Sequence, residues 1–257
     1  MLPELSPPLA RPAVAYFHGG GWAEGERAAG MYPWLCPLLA AHGFVTASVT
    51  YRLSRFAAFP AQIHDAKAAI RFLRANSAQY GVDSGRIGAW GDSAGGHLAA
   101  LLGTTSDRID LEGSSGWVEH SSRVQAVVAR CAPSDFRRLG VPAEDWRAEV
   151  FSLLFGGRMD QHDDLALLAS PTAHVDADAP PFLLVHGTED ETVPYEQSTL
   201  LAGALRAHNV PVAVHGINGG HHNMLADVDA PWGNQPWTDL GHEALEFFRR
   251  HLGDPLR

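Results

Sequence analysis

Ser93 is the residue whose setting points most directly to chemistry. It lies between Gly91 and Gly95 in a G-x-S-x-G pattern that follows an apolar run and opens an Ala/Leu-rich stretch. The pattern predicts a strand, a sharp turn and a helix, and the glycines suit it because the strand and helix pass close together. A serine hydroxyl presented on such a turn, at the positive end of a helix, is suited to nucleophilic attack.

A carboxylate partner is predicted in the loop that follows the buried run at 181–187. This loop carries three consecutive acids, Glu189, Asp190 and Glu191. A nucleophilic serine works with a histidine, and a carboxylate holds that histidine in one tautomer. The chemistry alone leaves the choice among the three acids open; we select Asp190 and expect the two glutamates to face solvent.

A general base is predicted on the turn beyond the last strand, at 212–216. Two adjacent histidines, His221 and His222, follow a pair of glycines there. A histidine on a turn after a strand suits a base that must reach the serine. We select His221, and His222 competes with it.

The glycine-rich segment at 18–22 supplies the remaining chemistry. It reads His-Gly-Gly-Gly-Trp and directly follows the apolar strand predicted at 14–17. Acyl transfer requires fixed donors for a developing oxyanion, and glycines leave backbone N–H groups accessible. Ala94, the residue after the nucleophile, supplies another donor. No G-K-[ST] follows, so a phosphate loop is not indicated. His18 is expected to be structural, and Trp22 is a candidate wall of the acyl pocket.

Together these motifs resemble the α/β-hydrolase esterases of the hormone-sensitive-lipase and acetyl-xylan/feruloyl-esterase kind. The resemblance extends from Val14 to Leu252, and the order serine, acid, histidine is the α/β-hydrolase order. It implies Ser93 as nucleophile, Asp190 as acid and His221 as base. It also implies oxyanion donors at Gly19, Gly20 and Ala94.

The chain as a whole is predicted to form a single α/β-hydrolase domain over 1–257, with a mostly parallel sheet flanked by helices. Strands and helices alternate along the sequence, and residues 134–178 are less regular, which we interpret as a cap-like insertion over the site. Further strands are predicted at 44–50 and 124–130, and helices at 61–80, 198–208 and 243–252.

The N-terminal region departs from the family pattern, which usually places two strands before the glycine loop. Only thirteen residues precede Val14, and four of them are prolines. We therefore expect an irregular Pro-rich lead over 1–13, no counterpart of the first family strands, and an edge position for the strand at 14–17.

The composition restricts the classes of partner and the location expected for the protein. A formal net charge of -10 disfavours nucleic acid and anionic membranes. No apolar run approaches the ~18 residues of a membrane span. Two cysteines and no visible signal peptide make a cytoplasmic location the default, with a secreted origin left open if the N-terminus is truncated. A homodimer is one option for the oligomeric state.

The function predicted is that of a serine carboxylesterase. It would hydrolyse short-chain acyl or aryl esters through an acyl-enzyme, with acetyl and feruloyl esters of carbohydrate among the candidates. No metal or organic cofactor is needed, and the Asp/His cluster at 160–164 is interpreted as a solvated loop. An aryl-formamidase or a peptidase of the same fold is the alternative; a non-catalytic binding protein fits less well because all three triad residues are present. The rate should fall on acidification through a histidine pKa of about 6 to 7.

Overall fold

A parallel sheet of six strands carries helices on both of its faces. The computed structural model describes residues 10–28, 30, 32–106, 108–142, 144–224 and 237–255. The strands are β1 (Arg11–Phe17), β2 (Val45–Val49), β3 (Val82–Asp92), β4 (Ala126–Arg130), β5 (Phe182–Gly187) and β6 (Val212–Ile217). The α-helices are α1 (Tyr32–Ala41), α2 (Ala61–Ala75), α3 (Ser77–Tyr80), α4 (Ala94–Thr104), α5 (Trp146–Phe155), α6 (Asp163–Leu168), α7 (Glu196–Ala207) and α8 (Trp237–Leu252). Short 3-10 turns cover Ile109–Leu111, Phe136–Arg138, Met159–Gln161 and Pro171–Ala173. Within these ranges no helix is both long and apolar enough to cross a membrane.

The order of the strands in the sheet is β2-β1-β3-β4-β5-β6, and every neighbouring pair is parallel. The carboxyl ends of the strands therefore lie along one edge, where open α/β sheets bind their ligands. The pairing of Asp92 in β3 with Arg130 in β4 brings the turn after β3 to that edge. This architecture confirms the predicted α/β fold with its parallel sheet and flanking helices.

Two apolar layers hold the helices against the sheet. On one face α2 and α4 pack through side chains such as Ile70 and Leu98, and on the other α1 and α8 pack through Leu35 and Phe248. Trp90 of β3 contacts Phe248 with ring centroids 6.0 Å apart. Burial on both faces explains why the central strands read as apolar runs rather than alternating ones.

The N-terminal strand corrects two expectations. β1 begins at Arg11, so the irregular lead predicted over 1–13 is wrong for its last three residues; residues 1–9 lie outside the described part. Pro12 fits because the register shifts between Arg11 and Ala13, where a bulge does not need its missing N–H. β1 is also an interior strand, paired with β2 and β3, and within the described residues the two edge strands are β2 and β6.

The helix predicted over 61–80 is divided at Asn76. The Asn76 side chain donates to the carbonyl oxygen of Phe72 at 2.9 Å, a local bond that competes with helix continuation. Gly81, with φ of 65°, ends the short α3 that follows. The predicted strands at 44–50 and 124–130 correspond to β2 and β4 with small changes at their ends.

Residues 134–178 lie between β4 and β5 and contain α5, α6 and three of the 3-10 turns. Phe151 and Phe155 of α5 meet the ring of Phe136 edge-on, with centroids 5.7 and 5.3 Å away. These aromatic contacts anchor α5 beside the carboxyl edge of the sheet. The described residues of this segment form no strand, and the segment borders the candidate site.

Candidate active site

Ser93 occupies a strained turn between β3 and α4. Its backbone lies at φ 53° and ψ -117°, a conformation that a non-glycine residue rarely adopts. A Cβ on Gly91 would overlap the carbonyl oxygen of Gly95, and one on Gly95 would overlap that of Phe17. The turn is held by the Ser93 N–H, which donates to the carbonyl oxygen of Arg130 at 2.8 Å. The predicted strand–turn–helix geometry is therefore present.

A buried polar cluster lies directly beneath this turn. Asp92 accepts from the Tyr16 hydroxyl and from Arg130 Nε, both at 2.7 Å. The side chains of Asp92 and Arg130 are each 5% exposed. Burial disfavours the charged guanidinium, but the Asp92 carboxylate outweighs it and raises the pKa of Arg130. The cluster joins the carboxyl ends of β1, β3 and β4 below Ser93.

His222, not His221, reaches Ser93. The Nε2 atom of His222 lies 3.0 Å from Ser93 Oγ, and its Nδ1 lies 2.7 Å from Asp190 Oδ2. The prediction of His221 at this position is wrong: Nδ1 of His221 lies 2.9 Å from Glu191 Oε2 instead. The structure thus brings together Ser93, Asp190 and His222.

The reason is the direction of neighbouring side chains on the turn. The turn after β6 is fixed by Gly220, whose N–H donates to Ile217 and whose carbonyl accepts from Glu189 at 3.0 Å. It is closed by the bond from the Met224 N–H to the His221 carbonyl at 2.8 Å. Consecutive residues there point to different sides, so only one histidine can face the serine.

Asp190 is held by four donors. Its Oδ1 accepts the N–H groups of Thr192 and Val193 at 2.9 and 2.8 Å, and its Oδ2 faces His222 and His186. Burial alone would raise the pKa of this carboxyl, but the hydrogen bonds from the two histidines outweigh it and hold the pKa well below its usual range. The carboxylate is therefore charged and fixed in direction.

His186 is a supporting residue that the sequence did not reveal. It is fully buried, with Nε2 2.8 Å from the Val193 carbonyl and 3.2 Å from Asp190 Oδ2. Since a carbonyl only accepts, Nε2 carries the proton, and Nδ1 accepts from Ser198 Oγ at 2.7 Å. The strand motif containing His186 predicted only burial.

The electrostatics of His222 favour its charged form. Burial opposes the imidazolium, but the Cys131 sulfur and the Asp190 carboxylate outweigh that effect and raise the pKa of His222 above 6.5. Asp190 accepts the Nδ1 proton, so neutral His222 presents the Nε2 lone pair to the Ser93 hydroxyl. This is the tautomer that a general base requires.

The glycine loop lies against the nucleophile. A Cβ on Gly19 would come within 3.1 Å of the Asp92 carbonyl oxygen and 3.5 Å of Ser93 Cβ. Gly20, at φ 110°, turns its carbonyl towards the N–H groups of Ala23 and Glu24. Among the described residues, no acceptor is bonded to the N–H groups of Gly19, Gly20 or Ala94. Three donors are thus available around Ser93.

Trp22 and His18 anchor the two ends of this loop. The Trp22 ring lies among the cavity-lining residues but is only 2% exposed, and it donates from Nε1 to His97 Nδ1 at 3.1 Å. His18 stacks on Tyr51 with ring centroids 4.4 Å apart, and its Nδ1 donates to the Gly19 carbonyl. Both side chains therefore support the loop from within the fold.

An open cavity of about 910 Å³ extends outward from Ser93. Its inner wall is formed by the glycine loop, Ser93 and His222, and its outer wall by α5. Trp146, the first residue of α5, is 63% exposed on this wall. Arg147 donates to the Thr192 carbonyl at 3.2 Å and so links α5 to the Asp190 loop.

Among the described residues, one group of three potential metal ligands lies at Cys131, Asp190 and His222, whose ligand atoms are within 4.8 Å of one another. Two of these residues already bond to each other through the Nδ1 proton, which a metal would have to displace. Cys36 and Cys131 are both buried free thiols.

The family model named BD-FAE matches residues 3–205. The chain belongs to this family of α/β-hydrolase esterases. The relatives of this BD-FAE chain include Esterase LipC of Mycobacterium tuberculosis, which is 35% identical over 203 residues, 78% of this chain and 50% of LipC. The chain spans about half the length of the curated relatives it matches.

Solved structures agree with the family assignment. A truncated carbohydrate esterase from gut microbiota superposes with a TM-score of 0.83 at 29% identity, covering 96% of this chain and 87% of that one. Thermogutta terrifontis esterase 2 phosphonylated by cyclosarin gives a TM-score of 0.78 at 28% identity, covering 96% and 86%. The resemblance to α/β-hydrolase esterases inferred from the motifs is confirmed.

Proposed function

We propose that this BD-FAE protein is a serine carboxylesterase that hydrolyses short-chain acyl or aryl esters through an acyl-enzyme. The observation that carries the proposal is the chain of hydrogen bonds from Asp190 through His222 to Ser93, beside three unbonded backbone N–H groups. The names of its relatives as esterases, and a neighbour that reacts covalently with an organophosphorus compound, support the same reaction class.

The mechanism follows from the atoms already in place. His222 Nε2 takes the Ser93 proton as Oγ attacks the ester carbonyl, and Asp190 stabilises the imidazolium. The oxyanion is stabilised by the N–H groups of Gly19, Gly20 and Ala94. The intermediate then collapses to an acyl-enzyme, and His222 Nε2 gives the proton to the departing alcohol. A water molecule repeats the sequence in the second half-reaction, releasing the acid.

Hydrolysis of p-nitrophenyl acetate by the wild type and the Ser93→Ala variant tests this proposal. The wild type should turn over, and the variant should lose turnover while keeping its circular dichroism spectrum and Tm. Turnover near wild type in the folded variant contradicts the assignment. Parallel assays with N-formylkynurenine and a peptide anilide measure the two alternatives; a higher kcat/KM on either would reassign the protein to that class.

Esters of carbohydrates are the substrates that the outer wall favours. Trp146 presents a large exposed ring at the cavity, and an aromatic face of this kind suits packing against a sugar ring. The cavity is wide enough for more than a small acyl group, since ligand pockets typically measure about 300–1,000 Å³. A structural neighbour is described as a carbohydrate esterase, which supports the same substrate class.

Trp146→Ala tests this narrower proposal. We expect kcat/KM for an acetylated xylo-oligosaccharide to fall about tenfold while that for p-nitrophenyl acetate stays within twofold, because only the sugar reaches α5. Trp117, 42% exposed and not among the cavity-lining residues, provides the matched control. Equal losses on both substrates, or the same loss in Trp117→Ala, argue against a sugar contact.

A further inference from the structure

His97 lies one helical turn after Ser93 and takes part in none of the steps above. It is fully buried in α4, and both ring nitrogens have partners. Nδ1 lies 3.1 Å from Trp22 Nε1, and Nε2 lies 2.7 Å from the Ala169 carbonyl. These two bonds connect the buried ring to two segments that are distant in the sequence.

The two partners fix the tautomer of His97. The indole nitrogen of Trp22 can only donate, so Nδ1 of His97 must accept. The Ala169 carbonyl can only accept, so Nε2 must carry the proton. Burial lowers the pKa of His97 to about 4, and the bond to Ala169 only partly opposes this, so the ring is neutral across the working pH range. Each nitrogen therefore has one defined task.

The bond to Trp22 connects the two segments that carry the N–H donors around Ser93, namely the glycine loop and α4. Trp22 closes the glycine loop that carries Gly19 and Gly20, and it adopts φ of 57° to do so. His97 lies on the same helix as Ala94, the third donor, and its N–H donates to the Ser93 carbonyl at 2.9 Å. One side-chain hydrogen bond thus joins the loop half to the helix half.

The bond to Ala169 connects the His97 ring to the segment at 134–178. Ala169 follows α6 and is fully buried, and Phe136 from the start of that segment meets the His97 ring edge-on at 5.1 Å. Phe136 also contacts the Trp22 ring, at 5.7 Å. His97, Trp22 and Phe136 therefore form one buried aromatic cluster, and close packing of this kind restricts side-chain movement.

We propose that His97 is a positioning residue that sets the distance between the two halves of the oxyanion site by accepting from Trp22. The inference rests on the proposed function, because it assigns His97 a role in the same site. A misplacement of about 1 Å in donor groups can cost on the order of 100-fold in rate, so one fixed bond at this point matters for the reaction.

Two amide variants separate the two ring nitrogens. The amide oxygen of Asn can take the position of Nδ1 and accept from Trp22, whereas the amide nitrogen of Gln can take the position of Nε2 and donate to Ala169. His97→Gln should therefore lose the bond to Trp22, and His97→Asn should keep it. Trp22→Phe removes the same donor from the other side.

The expected result is a loss in kcat, with little change in KM, for the variants that break the Trp22 bond. His97→Gln and Trp22→Phe should each lower kcat at least tenfold, and the double variant should lose no more than either alone. His97→Asn should recover most of that kcat. The affinity for a trifluoromethyl ketone, whose adduct places an oxyanion in the site, should fall in parallel with kcat/KM.

His174 provides a matched control, since its Nε2 also bonds a carbonyl near the end of α6, that of Leu168 at 2.8 Å. His174→Gln should leave kcat and the ketone affinity unchanged. A wild type without esterase activity would refute the proposed function itself. With an active wild type, unaltered kcat in Trp22→Phe, or equal losses in the Asn and Gln variants, overturns the role of His97. If His97→Gln does not fold, Trp22→Phe decides alone.

Discussion

His222 Nδ1 lies 2.7 Å from Asp190 Oδ2, and a second acid–histidine pair lies directly beside this one. Glu191 bonds to His221 at 2.9 Å in the same way, so two adjacent acids pair with two adjacent histidines. The inner pair faces Ser93, and the outer pair lies at the cavity rim. The chemistry of the two pairs is alike, and only their direction separates a triad from a surface contact.

Replacing each histidine separately tests this division. His222→Ala should lower kcat for p-nitrophenyl acetate about 10³-fold, because the Ser93 proton loses its acceptor. His221→Ala should change kcat less than about threefold, since an exposed ion pair contributes little. Steady-state kinetics on both folded variants provide the measurement. A larger loss in His221→Ala would restore the residue named from the sequence.

The pH dependence of the reaction should be displaced towards alkaline pH. His222 must be neutral to accept a proton, so kcat/KM rises with pH through the pKa of His222 in the free enzyme. Its neighbours raise that pKa above 6.5, so the midpoint should lie above the 6 to 7 expected for an ordinary histidine. Asp190→Asn removes one of the groups that raise the pKa and should move the midpoint towards acid. A wild-type midpoint below 6.5 would contradict this electrostatic account.

The free energy of unfolding should fall as the pH rises, whereas kcat/KM should rise. A histidine whose pKa is raised on folding stabilises the protein fully below its unfolded value of 6.5, and the effect is lost as pH rises through the folded pKa. The wild type should therefore lose free energy of unfolding relative to His222→Gln as the pH rises above 6.5. Urea unfolding of both proteins at pH 6 and pH 9 measures this difference. A constant difference between them would show that the pKa of His222 is the same in the folded and unfolded states.

The conformations of the turn at Ser93 and of the glycine loop could be predicted from the sequence because both depend on local backbone demands. The acid could not be chosen in this way, since three acids are adjacent, and the structure brings Asp190 to His222. Gly91 and Gly95 are required by close backbone approach, and that requirement is visible in a pentapeptide. The choice between His221 and His222 was not visible, because it depends on a turn whose direction is set by contacts with the Asp190 loop. His97 was missed as a supporting group because its partners, Trp22 and Ala169, are distant in the sequence. His186 was missed although its partners follow it closely, because the path of the loop after β5 decides which of them its ring meets.

Close backbone approach at the turn after β3 makes Gly95→Ala a severe change. The new Cβ would overlap the Phe17 and His18 carbonyl oxygens, which belong to the backbone and cannot rotate away. We expect a loss of at least about 3 kcal/mol in the free energy of unfolding. Gly203 in α7 is the control: it has open space around it, so Gly203→Ala should stabilise by about 0.5–1 kcal/mol. Chemical denaturation measures both, and similar values for the two would contradict the packing described at Ser93.

The buried cluster of Tyr16, Asp92 and Arg130 should stabilise the turn that carries Ser93. Asp92→Asn takes the carboxylate away from the Arg130 guanidinium, whose side chain is only 5% exposed, and this should cost about 3–5 kcal/mol. Tyr16→Phe removes a hydrogen bond to that carboxylate but leaves its charge, and should cost about 1.5–3 kcal/mol. Glu24→Gln, in an exposed pair with Arg55, should cost less than about 1 kcal/mol. Because the Arg130 carbonyl accepts the Ser93 N–H, Asp92→Asn should also lower kcat, whereas Glu24→Gln should not. Equal stability of the Asp92 and Glu24 variants would mean that the Arg130 charge is solvated and does not brace the turn.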